Sequence, residues 1–263
     1  MNYIKESPFA KKTVLLALIT FSIWLSFLLM GTFKITSMAL SIAVCSLCSY
    51  ILFTPMHEAS HGNIAGRIQK HKKLEKYLGY LSGFALFIPF PMFRVLHLRH
   101  HSFTNDEEKD PDFWVATNIP IFLFMKCFTI KPHYYYHAFF KATEPMKNLY
   151  VNTFSCVGIY LVIAGIMAYL GHGTFFLIWI VSSMIALAFL AFLFDWLPHY
   201  PHKQKGRYKD TSIITFRWLD EIMLLQNYHL IHHLYPRVPF YNYKKAFKQI
   251  EQDLIDKEAT IVR

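Results

Sequence analysis

Residues 77–93 read YLGYLSGFALFIPFPMF, apolar enough for a membrane yet interrupted by Gly79, Gly83, Pro89 and Pro91. Whether this stretch crosses a bilayer decides the fold. If it crosses, the histidines that follow lie on the opposite face from those that precede it. If it turns back, every histidine cluster in the chain shares one face. Glycine and proline interrupt regular helix, and broken backbone is tolerated at membrane depth where protein covers it. The stretch is therefore read as a broken hairpin or interfacial segment that returns to its own side.

The remainder of the chain supports a membrane reading. Of 263 residues, 54% are hydrophobic, and only 17% are charged, against about 25% in ordinary soluble domains. Residues 13–33, 36–54, 149–170 and 174–197 carry almost no charge, and each approaches the ~20 residues a helix needs to cross ~30 Å of hydrocarbon. The first is longer than a signal-peptide core and has no small-x-small site after it, so it is read as a retained span. Residues 119–140 are aromatic, contain HYYYH at 133–137, and resemble an interfacial belt. The expectation is an all-α integral membrane protein of one domain over 1–263. It has about four transmembrane helices, a broken or interfacial apolar segment, and a helical cytoplasmic cap from 55–148 and 198–263.

A net charge of +10 invites a nucleic-acid reading, but its distribution does not. Lys5, Lys11 and Lys12 precede the first span, Lys34 is alone between spans one and two, and GHG at 171–173 joins spans three and four. The other basic residues fall in 62–148 and after 202. With both termini and the middle loop in the cytoplasm, this is the positive-inside distribution, expected of a bacterial inner membrane. Anionic membrane lipids or an acidic partner are the counterparts, with no role for nucleic acid. Cys45, Cys48, Cys127 and Cys156 all lie in apolar stretches and read as small packing residues, although Cys45 and Cys48 spell C-x-x-C.

Four groups of histidines stand out. HEASH supplies His57 and His61; HLRHH supplies His97, His100 and His101; DWLPHYPH supplies Asp195, His199 and His202; HLIHH supplies His229, His232 and His233. Positions i, i+3 and i+4 share a helix face, so each box is expected to aim its imidazoles at one point. His133 and His137 also spell H-x-x-x-H, but they flank three tyrosines beside Pro132 and read as interfacial packing.

Imidazole suits Zn, Cu, Fe and Ni, so ligand type does not name the metal. Number says more: three boxes plus His199 offer nine histidines, about twice what one metal uses, and two metals are implied. Two imidazole-rich irons with open positions would activate dioxygen against an unactivated C–H bond of a membrane lipid. HEASH is also H-E-x-x-H, which in an intramembrane zinc metalloprotease would make Glu58 the general base. That reading leaves HLRHH and HLIHH without a role. A metal transporter would carry its ligands within the spans along a pathway.

Taken together, the boxes resemble the membrane fatty acid desaturase/hydroxylase superfamily. The longer motifs HLRHHSFTNDEEKDPDFW (97–114), FDWLPHYPH (194–202) and QNYHLIHHLYPRVPFY (226–241) are most similar to its desaturase-like carotenoid β-ring hydroxylases. The resemblance covers about 57–243. It implies His57, His61, His97, His100, His101, His199, His229, His232 and His233 as ligands of two iron ions, with O2 as co-substrate. It places Asp195 close to one metal, and Asn227 and Asp112 in support of ligand imidazoles. Asp110 and Asp112 bracket Pro111 in what also reads as a plain turn, and His202 departs from the pattern. Hydroxylation of a carotenoid ring leads, and fatty acyl desaturation is the alternative; no residue in the boxes separates the two outcomes. No Rossmann, haem-attachment or iron–sulfur motif is present, so a separate electron carrier, such as ferredoxin with its reductase, is expected.

Overall fold

A computed structural model describes residues 3–4, 9–141 and 144–263; Lys5 lies outside them. In chain order, α1 (Lys11–Thr32) and α2 (Met38–His61) form a tight antiparallel pair. Next come α3 (Lys72–Ala85), α4 (Phe90–Phe103), α5 (Pro120–Phe128) and α6 (Ile130–Phe140). A short α7 (Glu144–Lys147) precedes α8 (Tyr150–Tyr169) and α9 (Thr174–Leu190), which a π-helical turn extends to Trp196. The C-terminal part holds β1 (Ser212–Ile214), α10 (Arg217–Ile222), α11 (His229–Leu234), α12 (Tyr243–Asp256) and β2 (Thr260–Val262). The two strands pair in parallel and tie the end of the chain to the loop after α9.

Among the described residues four helices, α1, α2, α8 and extended α9, are long and apolar enough to cross a membrane. Spans one, three and four fall within a few residues of expectation. Span two does not end at 54. It runs through HEASH as one helix, with Pro55 inside it, so the first box belongs to the span itself rather than following it. The reason is local. Met56, Glu58 and Ala59 favour helix, and the first stop is Gly62, whose φ of 80° is the left-handed cap that glycine adopts at least cost.

The stretch that opened the sequence analysis turns back. Helices α3 and α4 meet at a break of four residues and are bent by 97°. The bend penetrates the bundle: Phe84 packs on Trp179 of α9 with ring centroids 4.3 Å apart, and on Trp24 of α1 at 5.8 Å. A helix ending at such depth leaves carbonyls that water cannot reach. The spans satisfy them. Trp179 Nε1 donates to the Phe84 carbonyl at 2.8 Å, and Ser49 Oγ to the Ala85 carbonyl at 3.3 Å.

Two short helices, α5 and α6, pack on α9 while Ile121, Phe122, Phe124 and Met125 face outward. The segment over 119–140 thus exposes an apolar face, and it also reaches inward. Lys131 Nζ donates to Ser183 Oγ in the middle of α9 at 3.1 Å and lies 4.4 Å from the centre of the Phe87 ring.

The bend depends on Gly83, because a methyl group there would sit 2.6 Å from the Ile88 carbonyl oxygen, a backbone atom that cannot rotate aside. Gly83→Ala is expected to destabilise the protein by about 1–3 kcal/mol through overpacking. Gly158→Ala, with nothing within 4 Å of the added carbon, should be neutral or slightly stabilising. Thermal midpoints of the two purified variants in detergent check this; equal midpoints would show that the bend tolerates a side chain.

Candidate metal centre

All nine box histidines converge at one end of the bundle, where α2 and extended α9 finish and where α1 and α8 begin. They form two groups. His57 and His61 of α2, His97 and His101 of α4, and His232 of α11 bring one ring nitrogen each to within 4.8 Å of one another. His100 of α4, His199 after the π-helical turn, and His229 and His233 of α11 do the same. The boxes therefore do not each aim at one point, as the spacing was read. HLRHH and HLIHH are both divided. On a helix of ~100° per residue, i and i+4 diverge by ~40°, but i+3 and i+4 by ~100°. His97 and His101 thus serve one group while His100 turns to the other; His229 and His233 stay together while His232 turns away.

The donor atoms fit a cation. In the first group, Nε2 atoms face one another in series: His61 to His97 at 2.7 Å, His97 to His101 at 3.2 Å, His101 to His232 at 2.8 Å, and His232 to His57 at 3.0 Å. An imidazole nitrogen offers either a proton or a lone pair. His97, His101 and His232 each face two such atoms, and well-directed hydrogen bonds cannot serve both. Donors about 2.1 Å from a shared ion would stand about 3 Å apart, which is the spacing seen. In the second group His100 Nε2 lies 3.3 Å from His233 Nε2, and His199 Nε2 is buried without a partner.

The far sides of several rings are held. His100 Nδ1 lies 2.9 Å from Asp110 Oδ1 and 3.3 Å from Asp112 Oδ2. Asp110 in turn accepts from the Asn105 and Asp112 amides, and Asp112 from the Tyr134 hydroxyl at 2.7 Å. The DPD stretch is thus both a turn and a clamp, and Asp110, read as only the turn, makes the shorter contact. His232 Nδ1 meets the Tyr243 hydroxyl at 2.9 Å, and His199 Nδ1 the Asp210 carbonyl at 3.2 Å. Neither partner was marked by any motif.

Asn227 is placed differently from expectation. Its amide donates to the Ile214 carbonyl and to Asp220 Oδ1, and its own carbonyl accepts from the Ile214 amide. It fastens the start of α11 to β1 and touches no ligand imidazole among its hydrogen bonds. Asp195 belongs to neither group. It lines a small cavity between them, with His57, His97, His100, His229 and Tyr134. His202 is buried 6.3 Å from the His199 ring and joins neither group. His133 stacks on Trp114 at 4.5 Å, as packing. Glu58 Oε1 accepts from Asn63 Nδ2 at 3.1 Å, and its Oε2 is buried without a hydrogen-bond partner among the described residues; the five histidines gathered at HEASH exceed what the protease reading uses.

Burial, and then the charge of His100, hold His229 down at about 3, and burial keeps His199, His232 and His233 well below the ordinary histidine value. Neutral imidazole is the form that binds a metal.

Two outcomes follow from this geometry. Asp110→Asn should weaken metal retention about 10–100-fold, the usual effect of losing a carboxylate behind a ligand histidine. Asp106→Asn, at a partly exposed salt bridge to Lys205, should leave it unchanged; chelator competition with elemental analysis distinguishes them. For the metal-stripped protein the sign of the pH dependence is fixed. An unfolded chain protonates its histidines near pH 6.5, whereas folded His229 stays neutral to about 3 and His202 to about 4. The unfolded state binds more protons in that window, so stability falls as pH drops below about 6.5. A thermal midpoint that is flat from about pH 7.5 to 5 would contradict buried neutral imidazoles.

Comparison with known proteins bears on which centre this is. The model of the family described as fatty acid desaturase matches residues 33–262. A dihydrorhizobitoxine desaturase of Bradyrhizobium elkanii is 26% identical over 249 residues, covering 77% of this chain and 64% of that protein. An endoplasmic reticulum omega-3 fatty acid desaturase of Vigna radiata var. radiata is 24% identical over 245 residues, covering 78% and 62%. The chain spans a little under two thirds of the length of these curated relatives. With a family match running from the second span to the last strand, the chain belongs to the fatty acid desaturase family.

Proposed function

We propose that the chain is an O2-dependent membrane di-iron oxygenase that hydroxylates the β-ring of a carotenoid. The observation that carries the oxygenase reading is the connection between the histidine groups and the apolar interior. The cavity between the groups shares Phe53, Phe93, Tyr134 and Asp195 with a second, apolar cavity bounded by Ile88, Ile130 and Leu187. Each of these cavities holds only about 10 Å³, so a hydrocarbon would reach the histidines only with Ile88, Ile130 and Leu187 displaced. The carotenoid preference rests on the long motifs around the second and third boxes and on the DWLPH segment.

In this reading His57, His61, His97, His101 and His232 hold one iron, and His100, His199, His229 and His233 the other. The bound irons supply the oxidising power, drawn from O2, needed to cleave an unactivated C–H bond. The chain supplies position and exclusion. Phe53, Phe93 and Phe194 wall the cavity against water, which limits side reactions. Ile88, Ile130 and Leu187 set how far a chain can enter. Asp195 and the Tyr134–Asp112 pair are the polar groups beside the substrate path that could hold a proton there. A cytoplasmic location for the histidine face follows from the basic residues around it.

Fatty acyl desaturation is the second reading; the names of both relatives favour desaturation, and one of them names a fatty acid. Lipid extracts of a β-carotene-producing bacterial host expressing the chain separate the two by mass spectrometry, with His100→Ala as control. Carotene that gains one oxygen per modified ring, lost in the control, is the expected result. Unaltered carotene beside acyl chains short of two hydrogens would replace it with desaturation. Electrons are proposed to come from a separate carrier such as ferredoxin with its reductase. Purified protein with substrate and O2 should turn over only when both are added; turnover with neither would sink that part.

A further inference from the structure

Helix α4 has a second face. Phe93, His97 and His100 point to the cavity between the histidine groups, while Phe90, Pro91 and Arg94 line an open cleft of about 470 Å³ that reaches His61 of the first group at its inner end. Four cations border this cleft: Lys72 and Lys76 from α3, Arg94 from α4, and Arg237 from the loop after α11. Among the described residues Glu75 is its one carboxylate; Oε2 accepts from the Ala65 amide at 2.8 Å, and its charge offsets part of that of Arg94 and Lys72. Arg94 donates from Nε to the Ser60 carbonyl at 3.1 Å. Its terminal guanidinium nitrogens have no protein partner among the described residues. Lys72, Lys76 and Arg94 thus leave the cleft with more positive charge than Glu75 offsets.

Part of its remaining wall is apolar, beside the polar His61 and Asn152. Tyr80, Phe90, Pro91 and Leu149 contribute to it, and Leu149 immediately precedes α8, where that span begins. Cations and hydrocarbon therefore meet in one cleft at the level where a span leaves the membrane. The geometry points to a binding site for the phosphate headgroup of an anionic phospholipid, with its chains running down beside the start of α8. Guanidinium and ammonium groups match phosphate oxygens, and each basic residue near a membrane surface adds to the attraction for anionic lipid. The volume suits a headgroup, since small-molecule sites occupy about 300–1,000 Å³; a protein partner would need about 800 Å² of contact on its own side.

The site has a structural consequence that does not depend on the reaction proposed above. Arg94 already links α4 to Ser60 on α2, the helices that carry the first and second boxes. A phosphate on its free nitrogens fixes that link from outside and so braces five of the nine ligand histidines.

The test uses the full-length protein in detergent, titrated with phosphatidylglycerol and followed by native mass spectrometry and thermal midpoint. The cleft variant is Lys76→Gln/Arg94→Gln, and the charge-matched control is Lys203→Gln/Lys248→Gln, both on the exposed tail. Wild type and control should retain one phosphatidylglycerol and gain stability from it. The cleft variant should bind roughly 30-fold more weakly, as expected for two lost charges. Inorganic phosphate alone should shift nothing. Equal affinity in both variants would overturn the site. An equal shift with inorganic phosphate would overturn the lipid as its occupant. Unchanged lipid binding with a slower reduction by an acidic electron carrier, in the cleft variant alone, would make it a protein dock instead and refute the proposal.

Discussion

Nine imidazoles gathered in an apolar interior have lone pairs to offer and too few protons to share. This constraint organises the rest of the structure. Each buried polar group left unmatched costs on the order of 1–3 kcal/mol, and the serial Nε2 contacts from His61 to His57 cannot be resolved by hydrogen bonding alone. A cation shared by these five rings would resolve them. The carboxylates of the DPD stretch, the Tyr243 hydroxyl and the Asp210 carbonyl then complete the outer nitrogens of His100, His232 and His199.

Bringing those rings together requires the chain to place ordinary backbone deep in the bundle. The α3–α4 bend does so because Trp179 and Ser49 satisfy its carbonyls and Gly83 admits its closest approach. The same bend positions both faces of α4, so one helix carries histidines on one side and the Arg94 edge of the cleft on the other. A small apolar cavity lies between this bend and α6, and Lys131, next to Ile130 of its lining, reaches across to Ser183. An amine so placed was not foreseen from the sequence. Lys131 follows Thr129 and Ile130 in what reads as an interfacial belt, and nothing in its neighbours shows that its side chain turns inward.

What the sequence determined was what depends on local pattern. Uncharged runs of about twenty residues gave three of the four spans closely, because helix rise and bilayer thickness are fixed. Glycine and proline in 77–93 marked a turn rather than a crossing, and that placed every box at one end of the bundle. Even the missed end of α2 was written there, in helix-favouring residues up to Gly62.

What only the tertiary structure decided was which imidazole joins which group. Boxes spaced i, i+3, i+4 present two directions, and the rotation of α2, α4 and α11 about their axes determines where each leads. Packing of α2 on α9, of α4 on α2 and of α11 on α12 sets that rotation, and no single helix encodes it. For the same reason Tyr243, Asp210 and Asp110 emerged as partners, while Asn227, inside the most recognisable motif, proved to hold the backbone of β1. A residue's type and spacing state what it can bind; its neighbours across the fold determine what it does.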